Sequence, residues 1–177
     1  MEVFLETARL VLRPVGHADV AALVELDSDP EVMRFLTGGR PTPRAEVEAR
    51  MLAGGFYLAA EKATGKFVGW FEFRLCEAGT ELGYRLRRQA WGKGYATEGA
   101  RALVDKGFRE LGVERVVGYT MTVNRASRRV LEKAGLRYVR TFHPEWPDPI
   151  AGAEQGDVEY ALLRHDWQRQ RPDDVKL

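Results

Sequence analysis

The sequence has few of the residues that build metal or disulfide cages. Cys76 is its one cysteine, and three histidines are spread over 177 residues. One cysteine makes no internal disulfide, and no Cys/His cluster has zinc-ligand spacing, so no metal and no disulfide scaffold are expected. No histidine stands near Cys76 in a recognisable motif, and a lone cysteine at a strand end reads as a small buried hydrophobe. Long apolar runs are missing as well: nothing approaches the roughly 18 residues that mark a bilayer span. The opening MEVFLETARL carries Glu2 and Glu6 and does not read as a secretory leader, so a cytoplasmic protein without membrane attachment is expected. There is also no excess of one charge. Lys and Arg number 27 against 26 Asp and Glu, a net charge of +1. That balance argues against a broad grip on nucleic acid or anionic lipid. No internal repeat or low-complexity block interrupts the chain.

What remains is ordinary globular material, 45% hydrophobic and 30% charged, of a length that suits one domain spanning 1–177. Val3–Val15 reads as a first strand. Asp19 can cap a helix bearing Val20, Leu23 and Val24, and Asp29-Pro30 suits a short helix carrying Val32, Met33, Phe35 and Leu36. Thr42-Pro43 opens a third helix with Val47 and Met51 on one side, ended by Gly54-Gly55. Phe56–Glu61, Lys66–Leu75 and Thr80–Leu86 form a meander. A helix from about Tyr95 to Leu111, a strand Arg115–Val123, a helix Arg125–Ala134 and a strand Leu136–Phe142 follow. The loop 143–156 leads to a last strand, Asp157–Arg164, and the polar segment 168–177 reads as a frayed tail. This order predicts an α/β (α+β) fold, a mixed sheet of about seven strands flanked by helices, with two strand–helix–strand units in the C-terminal half.

The most unusual stretch is RRQAWGKGYATEGARALVDKGF, residues 87–108. Gly92 and Gly94 let the backbone turn tightly and approach a ligand without a Cβ. The helix that follows, with Ala96, Ala100, Leu103, Val104 and Phe108 at the 3.6-residue period, begins with N–H groups that lack intrahelical partners and carry the positive end of the dipole. Arg87, Arg88 and Lys93 add charge. Such a corner suits a phosphate-bearing anion, although a plain glycine turn before a helix would look much the same. The Walker pattern fails because Gly94 follows Lys93, and the dinucleotide pattern fails because Thr97 holds its third glycine position.

Gln89-x-x-Gly92-x-Gly94 resembles the Q/R-x-x-G-x-G/A motif of the GNAT superfamily of N-acetyltransferases. Asn124-Arg-Ala-Ser127 and Leu131-Glu132-Lys133-Ala134-Gly135-Leu136 are similar to that family's following segment. ETARLVLRP and DPEVMRFL look like the branch of ribosomal-protein N-terminal acetyltransferases. The resemblance covers nearly the whole chain. It implies a mostly antiparallel GNAT-like sheet, acetyl-CoA as co-substrate, and transfer of acetyl to a primary amine by direct attack in a ternary complex. Acetyl-CoA would be held by Leu86, Arg87, Arg88, Gln89, Gly92, Lys93, Gly94, Tyr95, Ala96, Asn124 and Ser127, with the pyrophosphate on the loop N–H groups. Strand Glu81–Leu86 would pair with the pantetheine arm, while Arg115–Val123 splays away to leave a wedge for the thioester. Family members are often dimers, so a homodimer is compatible with the resemblance.

The chemistry makes three demands: a proton acceptor for the amine, a donor to the tetrahedral oxyanion, and a hydrogen-bond donor to the departing thiolate. The resemblance implies the Leu86 backbone N–H for the oxyanion. Many family members use a tyrosine seven residues after the Asn, where this chain has Leu131. Ser127 is the polar group left to serve the sulfur, or is an ordinary first-turn serine. The missing tyrosine also keeps open a non-catalytic acyl-CoA-binding module. Glu81, with Glu72 behind it, is the candidate base, or each is a salt-bridged strand carboxylate. The loop 143–156, with Trp146, Glu145, Asp148 and Glu154, and then Asp157, offers carboxylates to a cationic amine. Phe35 and Trp70 line that pocket or belong to the core. Arg125, Arg128, Arg129 and Lys133 make one basic helix face, read more simply as solvated surface or a contact for the CoA 3′-phosphate than as an RNA site.

Overall fold

The computed structural model describes residues 2–171. The elements run β1 (Leu5–Glu6), β2 (Leu10–Pro14), α1 (Val20–Leu26), α2 (Arg44–Met51), β3 (Phe56–Glu61), β4 (Phe67–Cys76), β5 (Gly79–Leu86), α3 (Tyr95–Glu110), β6 (Arg115–Met121), α4 (Arg125–Lys133), β7 (Arg137–Phe142), β8 (Asp157–Leu163) and α5 (Arg164–Gln170). One eight-stranded sheet takes the order β1-β2-β3-β4-β5-β6-β8-β7. All neighbours are antiparallel except β5 and β6.

The sheet has eight strands rather than seven because the expected strand Val3–Val15 is two. Thr7 folds the chain back: its N–H bonds to Leu10 O and its Oγ1 accepts from the Leu10 N–H, both at 2.9 Å. No helix forms after Asp29-Pro30. Met33 O instead takes the N–H groups of Leu36, Thr37 and Gly39 at 2.9–3.2 Å, which closes the segment as successive turns. Asp19 does not cap α1 with its side chain. It accepts from the Gly16 N–H at 2.8 Å and pairs with Arg13, so it ties the preceding 3₁₀ turn to β2. Residues 168–170, expected in the polar tail, complete α5, whose Trp167 is buried. Arg171 follows and pairs with Asp105, and 172–177 lie outside the described residues.

Side chains alternate across the sheet. Leu82 and Leu86 of β5, Val116 of β6 and Val158, Tyr160 and Leu162 of β8 enter the main core with α3 and Leu131 of α4. On the opposite face Phe56 and Trp70 pack with Leu23, Leu26, Val47 and Met51 of α1 and α2. Helix α3 comes close to the sheet because two of its residues have no side chain. A Cβ on Gly99 would lie 2.3 Å from Phe71 Cζ, and one on Gly107 would lie 2.6 Å from Phe73 Cζ. Among the described residues no helix is long and apolar enough to cross a membrane.

Candidate active site

The one parallel pair is also the shortest register between major strands. Strands β5 and β6 match only Thr80 with Val116 and Glu81 with Val117. Beyond Glu81 they part. The Arg87 N–H still bonds to Val68 O at 2.9 Å, and Arg85 stands opposite Trp70, so the backbone groups of Gly83, Arg85 and Arg87 face β4. Those of Leu82, Tyr84 and Leu86 therefore face the gap. The Leu86 carbonyl accepts from Trp91 Nε1 at 2.9 Å, which leaves its N–H as the polar group presented there. The gap opens into a cavity of about 770 Å³ that passes through the sheet. Gly92, Gly94, Asn124 and Ser127 border it on the side of α3 and α4. Phe35, Trp70, Glu72, Glu81, Trp146 and Asp157 are among its other lining residues, together with Arg34, Arg50, Arg74 and Arg85.

The glycine corner has the backbone the sequence predicts. Gly92 and Gly94 have φ of 71° and 81°, a region closed to most side chains. The first N–H of α3 to find a partner is that of Glu98, bonded to Gly94 O at 3.0 Å; those of Tyr95, Ala96 and Thr97 precede it and meet no acceptor among the described residues. Arg9 of the β1–β2 turn braces this corner. Its Nη1 donates to Lys93 O at 2.8 Å, its Nε donates to Glu98 at 2.7 Å, and its guanidinium lies 4.4 Å from the Tyr95 ring centre. The sequence-predicted binding residues do not all converge. Arg87 faces Glu25 and Arg88 faces Asp29, while Gln89 and Lys93 are exposed.

Asn124 caps α4 by accepting from the Ser127 N–H at 3.2 Å, which fixes Ser127 at the cavity wall. Leu131, in the position where a tyrosine was sought, is buried against Gly118: a Cβ on that glycine would lie 2.7 Å from Leu131 Cδ2. The sequence reading missed the hydroxyl that does reach Ser127. Tyr84 of β5 donates to Ser127 Oγ at 3.2 Å. Burial lifts its phenol to about 12 against the lowering effect of that bond, so it keeps its proton. A tyrosine between Leu82 and Leu86 on the core-facing side was the available signal, since a buried phenol needs a partner.

On the other face Glu72, Arg74 and Glu81 form one group. Arg74 donates to Glu72 and stands opposite Glu81 in the β4–β5 register. Burial and then the charge of Glu72 raise the Glu81 pKa, while Arg74 opposes them. Of the loop carboxylates Asp157 reaches the cavity wall, Asp148 pairs with exposed Arg40 at 2.9 Å, and Glu154 borders a separate depression with Ile150. Arg128 of the basic helix face is turned inward, bonding to Tyr160 Oη and Thr122 O, both at 3.1 Å.

A sheet parted between two parallel strands, with open amides at the adjoining helix, defines a site that takes an extended, phosphate-bearing ligand and brings a second molecule to its end. Residues 9–137 match the model of the acetyltransferase (GNAT) domain. The chain is 39% identical to the FsC-acetyl coenzyme A-N(2)-transacetylase of Aspergillus fumigatus, over 95% of this chain and 80% of that protein. A GNAT-family acetyltransferase structure from Bacillus anthracis superposes with a TM-score of 0.77 at 27% identity, covering 91% of this chain and 98% of the other. RimL, a ribosomal L7/L12 α-N-protein acetyltransferase solved with coenzyme A, shares the fold at a TM-score of 0.74 and 20% identity, over 92% and 98% of the two chains. The chain belongs to the GNAT family. It is an acetyltransferase, and acetyl-CoA is its co-substrate.

Proposed function

We propose that the protein moves the acetyl group of acetyl-CoA to a primary amine, a protein N-terminus or a small molecule, by direct attack in a ternary complex. The observation that carries this is the parted β5–β6 seam, which presents the backbone of Leu82, Tyr84 and Leu86 on one wall and Ser127, reached by the Tyr84 hydroxyl, on the other. The glycine corner supports the pyrophosphate through the open amides of Tyr95, Ala96 and Thr97. The pantetheine arm runs beside β5 as an added strand. The Leu86 N–H then meets the oxyanion as it forms.

Ser127 serves the departing sulfur. Because Tyr84 donates to Ser127 Oγ, the serine's own hydrogen is left to turn toward the sulfur. This pair supplies what the missing tyrosine at Leu131 would have done, and it favours an enzyme over a silent binding module. Glu81 takes the amine's proton through a water, as its raised pKa suits. The name of the Aspergillus fumigatus relative specifies an N(2) acceptor, which supports a nitrogen nucleophile here. The likeness to RimL is one of fold, and the ribosomal-protein branch rests on ETARLVLRP and DPEVMRFL.

Calorimetry with acetyl-CoA tests the donor site. Wild type should bind, and a Gly92→Val/Gly94→Val variant should not. Absence of binding to wild type at millimolar ligand would remove the enzyme reading with it. An amine screen read by CoA release then tests transfer.

A further inference from the structure

The buried carboxylates of this protein come with arginines. Asp19 pairs with Arg13, Asp27 with Arg85 and Arg50, Glu72 with Arg74, and Glu159 with Arg115 and Arg140. Removing a carboxylate from water costs several kcal/mol unless a cation and hydrogen bonds offset it, so this matching is what burial demands. Asp157 departs from it. Its Oδ1 is fully buried with no hydrogen-bond partner, and among the described residues neither of its oxygens meets a donor or an arginine or lysine.

Its place in the fold is not peripheral. Strand alternation puts Val158, Tyr160 and Leu162 of β8 into the core under α4, so Asp157 projects from the opposite face, the face of Glu81 and Trp70. There it lines the same cavity as Glu81 but further along the seam, opposite Met121 where Glu81 stands opposite Val117. Its register neighbours, Met121 on β6 and Phe142 on β7, carry no charge. His143, one residue past Phe142, is the basic neighbour that works to lower its pKa. Burial nevertheless holds the Asp157 carboxyl above the usual range.

We propose that Asp157 is the binding residue for the acceptor's ammonium group, so that the acceptor supplies the hydrogen-bonded cation this carboxylate lacks. The inference rests on the acetyl-transfer reading for its biological meaning, and it names the acceptor class: a primary amine that is protonated when it arrives. Asp157 holds and orients it against the walls made by Phe35, Trp70 and Trp146. The amine then swings from Asp157 toward the thioester, and its proton passes through the cavity's water to the base assigned above. Because capture requires an ionised carboxylate, the amine KM rises as pH falls through the raised Asp157 pKa.

Two measurements on the full chain with CoA bound decide the matter. In the first, methylamine hydrochloride is titrated while the Asp157 side-chain carboxyl carbon is followed by NMR. A saturable shift that methanol does not reproduce is expected, and its absence overturns the proposal. In the second, Asp157→Asn is assayed with the fastest acceptor in a panel of glycinamide, putrescine and ethanolamine. The amine KM should rise at least about 10-fold with the acetyl-CoA KM held within about twofold, as for loss of one charge-assisted contact. The acid-side rise in amine KM should vanish, and Asp157→Glu should recover part of the affinity. An unchanged amine KM sinks the ammonium site and leaves acetyl transfer standing. Saturable methylamine binding without turnover of any amine does the reverse.

Discussion

The Tyr84–Ser127 pair makes a quantitative demand on how the thiolate leaves. A phenol held up to about 12 is a poor acid toward a thiolate whose conjugate acid sits near about 8.5. Full proton transfer would run uphill by roughly 3.5 pKa units, about 5 kcal/mol. The pair should therefore stabilise the developing charge by a relayed hydrogen bond, Tyr84 to Ser127 and Ser127 to sulfur, without surrendering the phenolic proton. A hydrogen bond to a charged atom contributes about 1.5–3 kcal/mol, so Ser127→Ala should lower kcat by about 10- to 100-fold. Tyr84→Phe should cost less, because it removes only the polarising bond at 3.2 Å. In a relay the double variant should be little worse than Ser127→Ala alone, since both changes break one chain. The assay is release of CoA thiol at saturating acetyl-CoA and amine, from pH 6 to 10. No alkaline limb should arise from Tyr84 in that range. Full kcat in Ser127→Ala, or strictly additive losses in the double variant, would refute the relay.

Other expectations follow from the same geometry. Glu81→Gln should abolish the acid limb of kcat. A base acts when ionised, and burial with Glu72 raises this pKa, so wild-type kcat falls as pH drops through it; a limb that survives in the variant assigns the base elsewhere. Gly92→Ala should leave the melting temperature within a few degrees, because a Cβ there meets nothing and only the positive φ is strained, by about 1–2 kcal/mol, yet acetyl-CoA affinity should fall in calorimetry. Gly99→Ala should destabilise by about 1–3 kcal/mol, lowering Tm by about 3–10 °C, because Phe71 is fully buried and has no room to yield; an unchanged Tm would contradict the close approach of α3.

The glycine corner and α3 were legible in the sequence because their signals are local: two glycines, a cluster of charge and a helical period. The wedge was legible only through family resemblance, since it depends on two strands far apart in the chain agreeing for two residues and then parting. Arg9 shows the same limit. In sequence it alternates with Leu10 as a solvent-facing strand residue, but in the fold it holds the carboxylate of Glu98, 89 residues away. Tyr84 was passed over because a tyrosine among leucines on a strand reads as core, and its partner lies on another element. The segment after Asp29-Pro30 failed the other way. Its apolar spacing is helical, but Gly38 and Gly39 follow so closely that the Met33 carbonyl gathers the available N–H groups into turns before a helix can grow.

The short β5–β6 register also bears on abundance. The sheet is left one strand incomplete at its centre, and the proposed occupant of that gap is a metabolite. A ligand that binds the folded chain alone stabilises it by mass action, about 2.7 kcal/mol when present at a hundredfold excess over its Kd. Thermal stability, and resistance to proteolysis through local opening of the seam, would then follow the supply of acetyl-CoA. A cell short of coenzyme A would lose the enzyme together with its co-substrate.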